Sequence, residues 1–276
     1  MSIRSSKLLK KIFIYTNLGI ISIVMIFPMF WMLLLSLKKY PEKSSNILYF
    51  FTTKFTLENY YDVLMSEDFV IYFINSLIVA GVVTIANIFF CSMSGYALSR
   101  KKFLGKKIVS ISIITLLIIP SYVIMIPLYK IMLSLNWINS YWSLIVPWLV
   151  TPFGVFLLKQ YINSLPVQIE DAARIDGASE WYIFFRIVMP LCKPTLIVLA
   201  IFTFINNWNS FLFPFIFTSS AEYRTLPVGL TFYLGKQSID WGLLMTSATI
   251  SAVPILILFL IFSKRIISSL TAGALK

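Results

Sequence analysis

Six stretches of this chain carry no Asp, Glu, Lys or Arg at all: Ile12–Leu37, Phe73–Leu98, Ile108–Leu128, Trp142–Leu158, Thr195–Phe217 and Gly242–Phe262. They run to 26, 26, 21, 17, 23 and 21 residues, against the roughly 20 a helix needs to cross about 30 Å of hydrocarbon. Continuous apolar runs of this length fit no alternating barrel strand, and in lipid every backbone group must find its partner inside the segment. The sequence therefore predicts an all-α membrane protein of six transmembrane helices, the short fourth one borrowing from its flanks.

Composition agrees. Of 276 residues 59% are hydrophobic and 12% charged, about half the charged share of a soluble domain, so the charged side chains cannot coat a water-facing surface. The chain has no histidine, and its two cysteines, Cys91 and Cys192, stand far apart. Histidine-based acid–base chemistry and metal centres are thereby disfavoured, no catalytic or metal-ligating set is predicted, and both cysteines are expected as free thiols.

The connections fix an orientation, because Lys and Arg are retained on the cytoplasmic side. With both termini inside, 16 of the 23 basic residues and 4 of the 11 acidic ones are cytoplasmic. The whole net charge of +12 then lies on one face, which explains the basic character without nucleic acid. The first run follows Arg4, Lys7, Lys10 and Lys11 but is too long for a signal-peptide core, so an uncleaved anchor is expected.

The runs contain no intramembrane carboxylate or cation of the kind an ion-driven carrier uses. They contain no Gly-x-x-x-Gly either, which leaves helix association to Ser, Thr, Ala and larger side chains. Pro28, Pro120, Pro127, Pro147, Pro152, Pro214 and Pro254 predict kinks or breaks. Polar groups gather at Asn206, Asn207, Trp208, Asn209 and Ser210 in the fifth run. Amides facing lipid are costly, so this cluster either lines a pathway for hydroxyl-rich solutes or hydrogen-bonds a neighbouring helix.

The fourth connection, Lys159–Pro194, is too long and too patterned for a turn. It predicts a first helix opening at Pro166, with Glu170 paired to Arg174 and Gly177 as its stop, and a second helix capped by Ser179 that ends at Pro190.

Within it, Asp171-Ala172-Ala173, three residues, Gly177, nine residues and Ile187-Val188-Met189-Pro190 resemble the "EAA" signature of permease subunits of binding-protein-dependent ABC importers. Asp171 stands for Glu and Met189 for Leu. Asn75-Ser76, Tyr96-Ala97-Leu98-Ser99-Arg100, Trp208-Asn209, Thr225-Leu226-Pro227-Val228-Gly229 and Gly273-Ala274-Leu275-Lys276 are similar to the carbohydrate, MalG-like branch. Ser210 departs from the acidic residue many relatives carry.

The resemblance implies a type I ABC importer permease (MetI-like) fold with a cytoplasmic coupling helix, in a bacterial cytoplasmic membrane. Residues 1–54 would form an anchor helix and the start of the first outer loop, and 55–276 the permease core, with a coupling segment at 159–194. It implies that Glu170, Asp171, Ala172, Ala173, Asp176, Gly177 and Ala178 meet the ATPase. The implied partners are a homologous permease subunit as a heterodimer, two ABC ATPase subunits holding ATP and Mg, an extracytoplasmic solute-binding protein and the lipid bilayer. No cofactor is expected on this chain, which lacks a Gly-x-x-x-x-Gly-Lys-[Ser/Thr] phosphate loop. The implied activity is ATP-driven uptake of sugars by alternating access. A non-sugar solute such as glycerol phosphate, a secondary carrier for small polar solutes and a membrane-embedded enzyme are the alternatives.

Overall fold

The computed structural model describes residues 3–39, 54–234 and 239–274, with side chains within 10–263. Leu275 and Lys276, which close the carboxyl-terminal motif, lie outside them. Among the described residues all regular elements are helical, and one isolated bridge pairs Lys38 with Phe55. The helices are α1 (Ile3–Ser36), α2 (Glu58–Met65), α3 (Glu67–Arg100), α4 (Lys106–Ile118), α5 (Met125–Ser134), α6 (Tyr141–Ile145), α7 (Pro152–Ser164), α8 (Gln168–Ile175), α9 (Glu180–Leu191), α10 (Lys193–Trp208), α11 (Leu212–Phe217), α12 (Leu226–Leu230) and α13 (Trp241–Ala274). Among the described residues, four helical stretches are long and apolar enough to cross a membrane, and two sharply bent pairs make up to six if each pair is one span.

Breaks in the apolar runs are where the structure departs from the sequence reading. The third run does not continue to Leu128: α4 stops at Ile118, Ile119 and Pro120 are extended, and the chain turns by 102° into Ser121–Ser134. Pro120 causes this, since it cannot donate to the preceding turn and forces the residue before it out of the helical region. The fourth span borrows from both flanks, covering Tyr141–Ser164, with an irregular step before Pro152. There the Thr151 hydroxyl accepts from the Gly154 N–H at 3.2 Å and Pro152 takes the first helical position. The fifth run ends at Trp208, and Leu212–Phe217 is a separate short helix.

Contacts gather the chain into two units, Met1–Phe69 with Leu230–Val253, and Val70–Gly229 with Pro254–Lys276. In the first unit α1 is exposed from Lys10 to Trp31, as a helix facing lipid or another subunit is. Its end is tied down by buried Asn59, whose Nδ2 donates to the carbonyls of Ser36 (3.0 Å) and Lys38 (2.9 Å). Thr246 Oγ1 also donates to the Ser36 carbonyl, at 3.2 Å, so α2 and the start of α13 both hold the last turn of α1.

The second unit is built around α3. One core joins Tyr96 and Leu98 to Leu158, Ile162, Phe184 and Leu199. Another joins Val79 and Val83 to Met132, Leu144, Phe213 and Phe217. Two lone glycines bring α3 and α7 close, which corrects the expectation that only Ser, Thr, Ala and larger side chains mediate association. A Cβ on Gly95 would lie 3.0 Å from Leu158 Cβ, and one on Gly154 would lie 2.7 Å from Cys91 Sγ. Cys91 and Cys192 are both free and buried.

Candidate functional site: a braced connection and a polar-lined cavity

The connection between the fourth and fifth spans folds as α8 and α9, joined by a tight reversal. Gly177 sits at φ +80°, a conformation that only glycine adopts without strain. A Cβ there would meet nothing within 4 Å, so the backbone, and not crowding within this chain, demands the glycine. Ser179 caps α9 by accepting from the Tyr182 N–H at 3.2 Å. α9 does not end at Pro190 as predicted. Its middle, Ile183–Val188, is wound as a π turn that runs on into Met189–Leu191, and the wider turn frees a carbonyl that accommodates the missing N–H of Pro190.

The segment residues singled out in the sequence divide in two. Glu170 is buried and points inward, while Ala173 and Ala178 are half-buried against the core. Asp171, Ala172, Asp176 and Gly177 are exposed. Ile175, which the sequence reading did not single out, is 87% exposed. Its signal was available: an isoleucine beside the glycine stop of a short connector helix has no neighbouring turn to cover it.

A charged cluster braces this segment against the end of α3. Arg100 donates from Nε to Glu170 Oε1 at 2.6 Å and from Nη2 to the Leu165 carbonyl at 2.8 Å. The Tyr96 hydroxyl donates to Glu170 Oε2 (3.3 Å) and Glu180 Oε2 (3.1 Å). Lys101 pairs with Glu180 at 2.6 Å. Arg174 reaches Asp171 (2.7 Å) and Glu180 (3.0 Å), and the predicted pair with Glu170 is its longest, at 3.5 Å. Hydrogen bonds from Arg174 and then Lys101 hold the Glu180 carboxyl down at about 2; the same Glu180 bonds raise the Arg174 value. The Tyr96-to-Arg100 motif thus acts as a clamp, with Ser99 Oγ donating to Asn163 Oδ1 at 2.5 Å as well.

At the other end of α3, Asn75 and Ser76 perform a parallel task. Asn75 Nδ2 donates to the carbonyls of Glu222 and Arg224, its Oδ1 accepts from the Tyr141 hydroxyl at 2.6 Å, and Ser76 Oγ accepts from the Leu226 N–H. α12 then lies so close to α3 that a Cβ on Gly229 would fall 2.0 Å from the Tyr72 ring.

The polar cluster of the fifth span borders a cavity of about 620 Å³ lined by Asn206, Asn207, Asn209 and Ser210 with Tyr122, Trp148, Phe202 and others. Trp208 does not line it. It is 2% exposed, with its ring edge-on to Phe73 and stacked with Phe204, a core role for the largest apolar side chain. Asn206 and Asn207 donate to carbonyls of their own helix, Phe202 and Thr203, both at 2.8 Å, and so do not spend those bonds on a neighbour. Interhelical bonding is done by Asn87, which the sequence reading passed over as one polar residue in a long apolar run. Fully buried, it donates to the Trp148 carbonyl (3.1 Å) and Thr151 Oγ1 (3.3 Å) and accepts from Thr203 Oγ1 (3.4 Å). Thr151 and Thr203 both line the cavity, so Asn87 underpins its floor.

Residues 87–272 match the family described as "binding-protein-dependent transport system inner membrane component". The arabinooligosaccharides transport system permease protein AraQ of Halalkalibacterium halodurans is 34% identical over 259 residues, 93% of this chain and 93% of that protein. The trehalose/maltose transport system permease protein MalG of Thermococcus litoralis is 35% identical over 275 residues, 98% of each. In fold the chain is similar, with a TM-score of 0.85 at 19% identity, to a chain in the crystal structure of a bacterial ABC transporter involved in the import of the acidic polysaccharide alginate, covering 96% of this chain and 98% of that one. A multi-pass helical chain with a braced connection between its fourth and fifth apolar runs, matched by this family over two thirds of its length, belongs to the binding-protein-dependent inner-membrane components, the permease subunits of ABC importers.

Proposed function

We propose that this permease forms one wall of an oligosaccharide uptake pathway and is driven through Asp171–Gly177 by ATPase subunits. The observation that carries the reading is the segment's two-sidedness: Glu170 is locked inside against Arg100 while Asp171, Ala172, Ile175 and Asp176 stand outside. A short helix so braced moves with the end of α3 rather than independently of it, and its exposed side is free to seat in a partner. In this reading the segment and both termini are cytoplasmic, two ABC ATPases bind and hydrolyse ATP with Mg, and a homologous permease completes the pathway as a heterodimer. An extracytoplasmic binding protein delivers the solute. Closure of the ATPases pushes the coupling segments and shifts the permeases between two arrangements, biased by differential binding.

Support for a carbohydrate comes from the relatives' named solutes, arabinooligosaccharides and trehalose or maltose, and from the amides and aromatic rings that line the cavity. Hydroxyl-rich rings need donors and acceptors at their edges and apolar surfaces at their faces. The test is Asn206→Leu with Asn209→Leu in the reconstituted importer. Uptake falls while the ATPase still co-purifies. Unchanged uptake would remove the cavity from the pathway.

A further inference from the structure

We infer that the cavity wall on this chain is built for uncharged saccharides and disfavours those bearing carboxylate, sulfonate or phosphate groups. The inference rests on the cavity being the solute pathway. The shared fold does not decide the matter, since a chain of similar fold belongs to an importer of the acidic polysaccharide alginate. The lining does.

None of the described residues that line the cavity is acidic or basic. A single anion entering it finds no counter-charge on this wall, and removing a charge from water without a partner is far more costly than removing a hydrogen-bonding neutral group. The amides add a polarity of their own. A main-chain carbonyl can only accept, so the bonds from Asn206 to the Phe202 carbonyl and from Asn207 to the Thr203 carbonyl turn the amide nitrogens toward the helix. Each amide then keeps its oxygen, with two lone pairs, and one N–H for a solute. Such neutral groups exchange hydrogen bonds with sugar hydroxyls but supply no formal charge to offset an anion. Rings complete the wall. Trp148 meets Phe213 edge-on at 4.8 Å, and Tyr122 stacks on the same Phe213 at 6.3 Å. These rigid apolar surfaces suit the C–H faces of pyranose or furanose rings.

The chemistry expected of the solute is therefore a neutral oligosaccharide that exchanges hydrogen bonds through its hydroxyls and stacks by its ring faces. Proteoliposomes holding the complete importer, loaded with its binding protein, are given an equimolar pool of two kinds. Neutral oligosaccharides come from arabinan, starch and xylan, and uronates from polygalacturonate and alginate. The lumen is then read by mass spectrometry. Neutral sugars accumulate at least about tenfold over any uronate, the discrimination an uncompensated charge imposes. Asn206→Lys, which places a cation in the lining, narrows that ratio. Uronates that accumulate as fast as neutral sugars, or a ratio that Asn206→Lys leaves unmoved, would overturn the charge preference while leaving the carbohydrate reading in place. A lumen empty of both classes, with the ATPase still assembled, would instead sink the carbohydrate reading on which the inference stands.

Discussion

Arg100 Nε lies 2.6 Å from Glu170 Oε1, joining positions 70 residues apart across the end of α3 and the start of α8. Both side chains are nearly enclosed, at 12% and 3% exposure, so neither charge has water to fall back on. Removing one partner from such a pair leaves the other stranded, typically at a cost of about 3 to 5 kcal/mol, whereas the intact pair is close to neutral in stability. Arg100→Glu and Glu170→Arg are each expected to lose the ATPase in pull-downs from detergent, and the double exchange to regain part of it. A double variant no better than either single one would mean that the bridge does not set the segment's position.

This pair also marks what could be learned from the order of residues. The apolar runs, the glycine stop at Gly177, the Ser179 cap and the two-helix form of the connection are all legible, because each depends on residues within one or two turns. Glu170 is read as pairing with Arg174, four positions on, since local spacing is all that a sequence displays. Its short contact is with Arg100, which only the tertiary fold brings near. The amide cluster is legible for the same local reason, but Trp208 within it is not separable from its neighbours until the helix phase and the position of Phe73 are known. Asn87 is the harder case, because a single amide in a long apolar run gives no hint that it closes a junction with Thr151 and Thr203.

The brace has a defined acid limit. Arg174 first, then Lys101, holds the Glu180 carboxyl at about 2, from an ordinary 4.5. A value depressed by folding gives stability that is present above the unfolded pKa and lost as pH falls through the folded one. The window thus runs downward from about 4.5 to about 2. Glu180 is half-exposed, so screening keeps the effect small. Hydrogen-exchange protection of residues 168–182, corrected for intrinsic rate, should hold from about pH 7 to pH 5 and decline below that. Glu180→Gln should show lower protection without the acid-dependent decline. An equal decline in that variant would assign the effect to another carboxylate.

Gly229 offers a packing test remote from α8. Its missing Cβ is replaced by the ring of Tyr72, which would stand 2.0 Å from an added methyl. Tyr72 is buried and cannot simply swing away. Gly229→Ala is expected to destabilise the protein by about 1 to 3 kcal/mol, the usual penalty of overfilling a close-packed contact, and Tyr72→Leu in the same chain to relieve part of it. Thermal unfolding in detergent measures both. An unshifted midpoint for Gly229→Ala would show that α12 can move off α3 freely.

The orientation rests on charge and is checked by labelling. Cysteines replacing Lys106 and Glu222, in a chain whose buried Cys91 and Cys192 are left untouched, should react with an impermeant maleimide from opposite sides: Lys106→Cys only after the cytoplasmic face is opened, Glu222→Cys in intact cells. Labelling of Lys106→Cys from outside would invert the topology.

Ile175 gives the cleanest access to coupling. Variants of Ala173 are confounded, because that side chain packs against this chain's own core, and any β-carbon at Gly177 strains a backbone held at φ +80°. Ile175, by contrast, is 87% exposed, so its replacement by Asp should change the permease's own stability by no more than about 0.5 kcal/mol, as for other surface sites. An apolar side chain that contributes little to its own fold is informative when its removal matters to something else. The expected result for Ile175→Asp is normal membrane insertion and an unchanged unfolding midpoint, with loss of ATPase co-purification or of binding-protein-stimulated ATP turnover in proteoliposomes. Gly177→Val should show the same loss with a small drop in the midpoint, since its strain is paid within this chain. Full coupling in both variants would leave α8 as a connector alone and move the proposed ATPase contact to another part of the chain.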